Sequence, residues 1–270
     1  MNISKVSKKP LLFARLFGIS PQEFKRLAIE LEPLWQKAET KRKHRLNRKH
    51  AIGGGRVYVL SFEESLAMYL LYIRTYTPYI FIGMVFHIDD GSVTRYFQKL
   101  RPVLAKKMKK LVIKHIPITQ EEILELIADA TEQETERRDG SGYSGKKKRQ
   151  TIKTQLIVTK KGHIRHISHS VPGNMHDKKL YDHTGVCAGL GDLGYIGTDM
   201  LLPTKSSKLH KLTQRQKNTN KAHARVRIVV EHVFASLKQF RILSHRFRNN
   251  LSYYNQIFTI VCGLYNLKRI

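Results

Sequence analysis

The sequence predicts an α/β protein in which a mixed sheet flanked by helices follows an all-α region. Three observations carry that expectation. Helical periodicity fills the chain up to about residue 117. Strand-like segments at 123–128, 151–159, 163–168 and 186–190 come only after it, with a long helix-patterned segment from about 222 to 240 behind them. The 270 residues, 41% of them hydrophobic, suffice for a large core or for two smaller ones.

The all-α region begins with 11–38, where Ser20-Pro21 starts a helix with Glu23 at the cap-plus-three position. Lys41-Arg42-Lys43-His44-Arg45 with Arg48-Lys49 is a basic patch, readable as a solvated helix end or as a phosphate contact. Gly53-Gly54-Gly55 is a break. Ser61 then precedes Glu63, Glu64 and an apolar helix. A second helix spans about Tyr79 to His87, Asp89-Asp90-Gly91 turns, and Ser92 opens a third. That order is a helix-turn-helix signature, although plain three-helix packing would look alike. In that geometry Ser92, Thr94, Arg95 and Gln98 face a DNA groove, while Val93, Phe97 and Leu100 hold the core. The expected division is 1–55 as a helical and basic segment, 56–117 as the DNA-binding domain and 118–270 as the catalytic domain. Pro117 and Gln120 mark the boundary, just before a new helical start at Glu121 or directly before a strand.

In the second part, the strand at 123–128 ends near Asp129-Ala130-Thr131. Gly140, Gly142 and Gly145 form a loop that leads into the basic run Lys146, Lys147, Lys148 and Arg149. Two strands follow, joined at Lys161-Gly162. A short helix is capped by Asn174 or His176-Asp177, and a strand runs into Gly191-Asp192-Leu193-Gly194-Tyr195. Strand, strand, strand, helix, strand and then a late helix is the order of an RNase H-like domain. There the first and fourth strands are neighbours, so Asp129 and Asp192 would converge and a late helix could bring Glu231 to them.

Charge is the strongest global signal. Lys and Arg number 49 against 21 acids, a formal net charge of +28, which suits a polyanionic partner and salt-dependent binding. After Asp139 the acids are Asp177, Asp182, Asp192, Asp199 and Glu231. Glu231 stands alone between Lys205 and Arg248. At about 100° per residue, Arg227, Glu231 and Lys238 fall within about 40° of one another, at the edge of the apolar face made by Val226, Val230, Val233 and Leu237. By spacing alone, Arg227 and Glu231 read as an ordinary i to i+4 ion pair on a solvated stripe.

Cys187 and Cys262 offer no disulfide framework and no zinc spacing, and His163, His166 and His169 alternate faces along a strand. No apolar run is long enough for a membrane span and no secretory signal is visible. The expected setting is cytoplasmic.

The run Arg227-Ile-Val-Val-Glu231 followed by Lys238 resembles the closing signature of bacterial insertion-sequence DDE transposases. Gly191-Asp192-Leu193-Gly194-Tyr195 resembles their second motif and Asp129-Ala130-Thr131 their first. Pro172-Gly173-Asn174-Met175-His176-Asp177 is similar to a stretch of the group related to Harbinger elements. The likeness runs in order from about Leu60 to Asn266. Ala224 stands where the fuller signature has Tyr, so no base-stacking role is assigned there.

The resemblance implies Mg²⁺ or Mn²⁺, two ions, held by Asp129, Asp192 and Glu231. It implies phosphate contacts from Arg227 and Lys238. The partner is double-stranded DNA, as the terminal inverted repeats of a mobile element and as target DNA, and the working form is a homodimer or higher oligomer. Asp177 rivals Asp192 for the second position, but a helix-start Asp serves readily as a cap. Asp177 and His176 are therefore expected as accessory groups. Two other readings stay open: a helix-turn-helix regulator without catalysis, and a nuclease of the same fold without strand transfer.

Overall fold

Four helices start on the same local device. Ser20, Ser61, Thr119 and Thr213 each accept the backbone N–H three residues on, and Glu23, Glu64, Glu122 and Gln216 reach back to the cap. The computed structural model describes residues 1–44, 58–112, 119–136, 142–207 and 211–269. Gly53-Gly54-Gly55, Arg45, Arg48, Lys49, Pro117 and Gly140 lie outside the described residues.

The all-α region contains α1 (Ile3–Ser7), α2 (Pro10–Phe17), α3 (Pro21–Lys43), α4 (Phe62–Thr75), α5 (Tyr79–Phe86) and α6 (Asp90–Val112). Gly18, at φ 81°, separates α2 from α3 by ending α2 in the left-handed region. α4 is buried almost all round, from Ser65 to Ile73. The other helices pack about it. The expected helix-turn-helix is present, with one shift: α6 begins at Asp90, not Ser92. Asp89 takes the capping role, accepting the Ser92 N–H at 2.7 Å, and Ser92 sits inside the first turn.

The second part runs α7 (Gln120–Leu124), β1 (Leu126–Glu134), β2 (Tyr143–Ser144), β3 (Arg149–Thr159), β4 (Ile164–Ile167), β5 (Val171–Pro172) and α8 (Asp177–Asp182). A 3₁₀ turn at Leu193–Tyr195 follows, then α9 (Gln214–Lys238), α10 (Arg241–Ser244), a second 3₁₀ turn at Leu251–Tyr253 and α11 (Tyr254–Leu267).

β1 lies antiparallel to β3, from Leu126 opposite Thr159 to Glu134 opposite Thr151, and β4 pairs with the other edge of β3. The segment after α8 returns beside β1: Leu190 bridges Ile127 in parallel, and Leu201 bridges Leu190 in turn. The first and fourth segments are thus neighbours, as the RNase H-like order requires. Three boundaries differ from expectation. Of the two openings after Gln120 the helical one is realised, because the Thr119 capping box starts a turn over 120–124, so β1 begins at Leu126 instead of Ile123 and Asp129 lies inside the strand rather than at its end. Residues 186–190 are not a strand of their own; of them Leu190 alone forms bridges. The late helix starts at Gln214, where Thr213 caps it.

The sheet separates two apolar layers. Ile127, Leu156, Val158 and Ile164 face α9 and α11 and join the core of the all-α region. Leu126, Ala128 and Ile157 face Tyr181 of α8, with Ala188, Tyr195 and Met200. No helix among the described residues is long and apolar enough to cross a membrane.

Candidate active site

Register decides which acids can meet. Side chains alternate along β1, so Asp129, Thr131 and Gln133 share one face and Glu132 lies on the other. Asp129 is opposite Leu156, on the face that α9 covers. There Arg227 of α9 reaches down: one guanidinium nitrogen donates to Asp129 Oδ2 at 3.0 Å and the other to Glu231 at 2.9 Å. The i to i+4 pair expected from spacing exists, but Arg227 bridges it to the strand.

Asp129 is mostly buried and Glu231 is 56% exposed. Burial pushes the Asp129 carboxyl up to about 6, against the pull of Arg227 and of the Ala130 N–H, and the nearby charges of Asp192 and Asp177 add to the rise. Lys238, two turns beyond Glu231, is exposed and lines a small crevice with Thr131 and Gln133, on the Asp129 face of β1.

Asp192 follows the Leu190 bridge and so arrives beside β1. Its Oδ1 accepts the Gly194 N–H at 2.8 Å, which starts the 3₁₀ turn. Asp177 approaches from α8. A Cβ on Gly194 would stand 2.7 Å from Asp177 Oδ2 and 2.9 Å from Asp192 Oδ1, so the lack of a side chain there lets the two carboxylates flank one point. His176, one of the expected caps, takes that role at α8, its Nδ1 accepting the Lys178 N–H, whereas the capping aspartate is Asp192, at the 3₁₀ turn, and not Asp177. Tyr195 is fully buried beneath this cluster, and burial, then Asp129, Asp177 and Asp192, push its phenol far up.

Sequence reasoning missed Lys153. It is 7% exposed, on the α8 face of β3, and its ammonium donates to Asp177 Oδ1 at 2.8 Å and to the Met175 carbonyl at 2.7 Å, with Glu132 at 3.4 Å. A lysine within an apolar strand was the available signal, but the face it takes follows only from the pairing with β1.

Among the described residues no three His, Cys, Asp or Glu side chains are gathered to hold one ion as they stand. At α9 the Arg227 guanidinium stands between Asp129 and Glu231 and pairs with both. The donors nearby are nonetheless carboxylate oxygens, the set that hard divalent ions take.

The other candidates lie elsewhere. Arg95 and Gln98 are exposed on α6, whereas Ser92 and Thr94 are half-buried and hydrogen-bond to Asp89 and the Asp90 carbonyl. Val93, Phe97 and Leu100 are buried, as expected. Lys146, Lys147 and Lys148 are exposed in the turn between β2 and β3, and Arg149 pairs with Glu134 at 2.7 Å.

Comparison with known proteins gives two family matches. Residues 128–266 match the model of a DDE superfamily endonuclease, and residues 58–110 match the helix-turn-helix of DDE superfamily endonucleases. The chain is 30% identical to a protein of Microchaete diplosiphon named "Probable transposase for insertion sequence element IS702", over 94% of this chain and 93% of that one. It is 25% identical to a Streptomyces albus G protein named "Putative transposase for insertion sequence element IS112", over 88% and 87% respectively. No solved structure matches.

Proposed function

Since the chain belongs to the DDE superfamily endonucleases, we propose that it is the transposase of a bacterial insertion sequence. It binds the terminal inverted repeats of its element, cleaves DNA at the element ends and joins the freed 3′-OH to target DNA. Residues 56–117 read the DNA, residues 118–270 carry out catalysis, and residues 1–55 support the first of these. The working form is a homodimer or higher oligomer on DNA, in the cytoplasm at the nucleoid. The observation that carries this reading is the parallel bridge of Leu190 to Ile127, which sets Asp192 beside the strand of Asp129 under the Arg227–Glu231 edge of α9.

Asp129 and Asp192 would hold the metal, with Glu231 completing the set after it leaves Arg227. Mg²⁺ or Mn²⁺, as two ions, supplies charge neutralisation at the attacking and leaving oxygens of an in-line phosphoryl transfer. The chain's own residues do the rest. Arg227, once released from its two carboxylates, holds a phosphate next to the scissile bond, and Lys238 holds another along the Thr131 side. Asp177 and His176 fix the start of α8 beside Asp192. Arg95 and Gln98 reach base edges in the major groove, with Ser92 and Thr94 behind them, and Lys146, Lys147, Lys148 and Arg149 meet the backbone.

The test is cleavage of plasmid DNA bearing the flanking inverted repeats, with Mg²⁺ or Mn²⁺. Asp129→Ala and Glu231→Ala are each expected to lower cleavage at least about a thousandfold, with repeat binding kept within a few-fold. Full activity in both variants would sink the site. Specific binding without cutting in any divalent metal would identify a regulator, and cutting without strand transfer a simple nuclease.

A further inference from the structure

A lysine buried among acids needs a reason. Lys153 Nζ has three donors, and the Met175 carbonyl, Asp177 Oδ1 and Glu132 surround it at 2.7, 2.8 and 3.4 Å. An ammonium at 7% exposure is costly unless it is paired and hydrogen-bonded in this way. The pairing is also directional. Lys153 faces Glu132 across the β1–β3 ladder, so both lie on the α8 face, whereas Asp129, an odd number of residues from Glu132, lies on the α9 face. Asp177 is therefore tied to the opposite side of the sheet from Asp129. Its other oxygen, Oδ2, borders Asp192 at Gly194.

We propose that Lys153 is a positioning residue. Its ammonium holds Asp177 on the α8 face, next to Asp192 but outside the carboxylates that take a divalent ion, and so fixes the start of α8 against the Asp192 turn. The inference rests on reading Asp129 and Asp192 as the ion-holding pair. Without Lys153, Asp177 becomes a third uncompensated acid free to turn onto the ion.

Manganese binding to the full-length, metal-free protein tests this, read from the electron paramagnetic resonance signal of free Mn²⁺. Lys153→Met is expected to tighten Mn²⁺ by about tenfold, the scale of losing one neighbouring positive charge at an effective dielectric near 20. Lys153→Arg keeps the charge and is expected to stay within about threefold of the unmodified protein, whereas Asp177→Asn alone removes one neighbouring negative charge and is expected to weaken Mn²⁺ by no more than about tenfold. The double variant Lys153→Met/Asp177→Asn is expected to return to the unmodified affinity, and a purely structural role for Lys153 would not produce that reversal.

Unchanged or weaker Mn²⁺ binding in folded Lys153→Met overturns the role of Lys153 and leaves the ion-holding pair standing. Should Lys153→Met fail to fold, Asp177→Asn decides: a loss of more than about tenfold makes Asp177 a ligand and overturns the proposal. No Mn²⁺ binding by the unmodified protein removes the ion-holding pair and, with it, the inference.

Discussion

Asp129 sits under two opposed influences, burial and Arg227, and burial is the larger. The sign of the consequence is fixed. A carboxyl raised from 3.8 to about 6 in the folded state favours folding below the unfolded value, and that contribution is lost as pH rises through about 6. Ionised Asp129 thus costs stability at pH 8, on the order of 3 kcal/mol. Asp129→Asn is expected to be more stable than the unmodified protein at pH 8 in metal-free buffer, with the gap closing below about pH 4. Urea denaturation across that range checks it, and a variant less stable at pH 8 contradicts it. Glu231 was legible as the lone acid of a basic stretch, and its stripe with Arg227 followed from helix geometry. The Arg227–Asp129 pair was not, because its partners are 98 residues apart. Nor was Lys153, whose face depends on a register that only the paired strand reveals.

At the scale of elements, capping chemistry explains both the successes and the shifts. Ser20 and Ser61 announced their helices through an acid three residues on. The same rule at Thr119 and Glu122 decides for the helical start after Gln120 and draws Ile123 and Leu124 out of the expected strand. Alternation could not separate the two, since a run this short carries both periods. α6 was recognisable by its buried Val93, Phe97 and Leu100, which leave Arg95 and Gln98 outward. If that face reads bases, Arg95→Ala and Gln98→Ala are each expected to weaken binding to the terminal repeat by about 1–3 kcal/mol, and binding to a scrambled duplex far less. Arg95 donates to Ser92 Oγ at 2.8 Å and lies 3.6 Å from Asp89, both on an open surface, so the thermal midpoint is expected to shift little. Competition binding with the two duplexes decides, and equal losses on both would mean phosphate contact alone.

At the scale of the molecule, the two halves share a core that no local pattern foretold. The cluster built by α2 to α6 continues through α9, α10 and α11 to Ile127, Leu156, Val158 and Ile164 of the sheet. Two contacts make the junction between α6 and α11 specific. A Cβ on Gly263 would stand 2.4 Å from Met108 Cβ, so the helices meet at a glycine. Asn266, fully buried, accepts the Ile164 N–H at 3.0 Å and donates to the Leu111 and Ile164 carbonyls at 3.1 and 2.8 Å, joining α6, β4 and α11 through one side chain. Its removal takes this partner from the buried N–H and carbonyl of Ile164 and from the half-buried Leu111 carbonyl. Asn266→Ala is therefore expected to lower unfolding stability by about 3–5 kcal/mol. Because the core is shared, the loss is expected to fall on the whole chain in one cooperative transition, with DNA binding and cleavage fading at the same urea concentration. Two separate transitions, with binding outlasting cleavage, would show instead that α6 and the sheet fold independently and that the shared core is a docking surface between autonomous units.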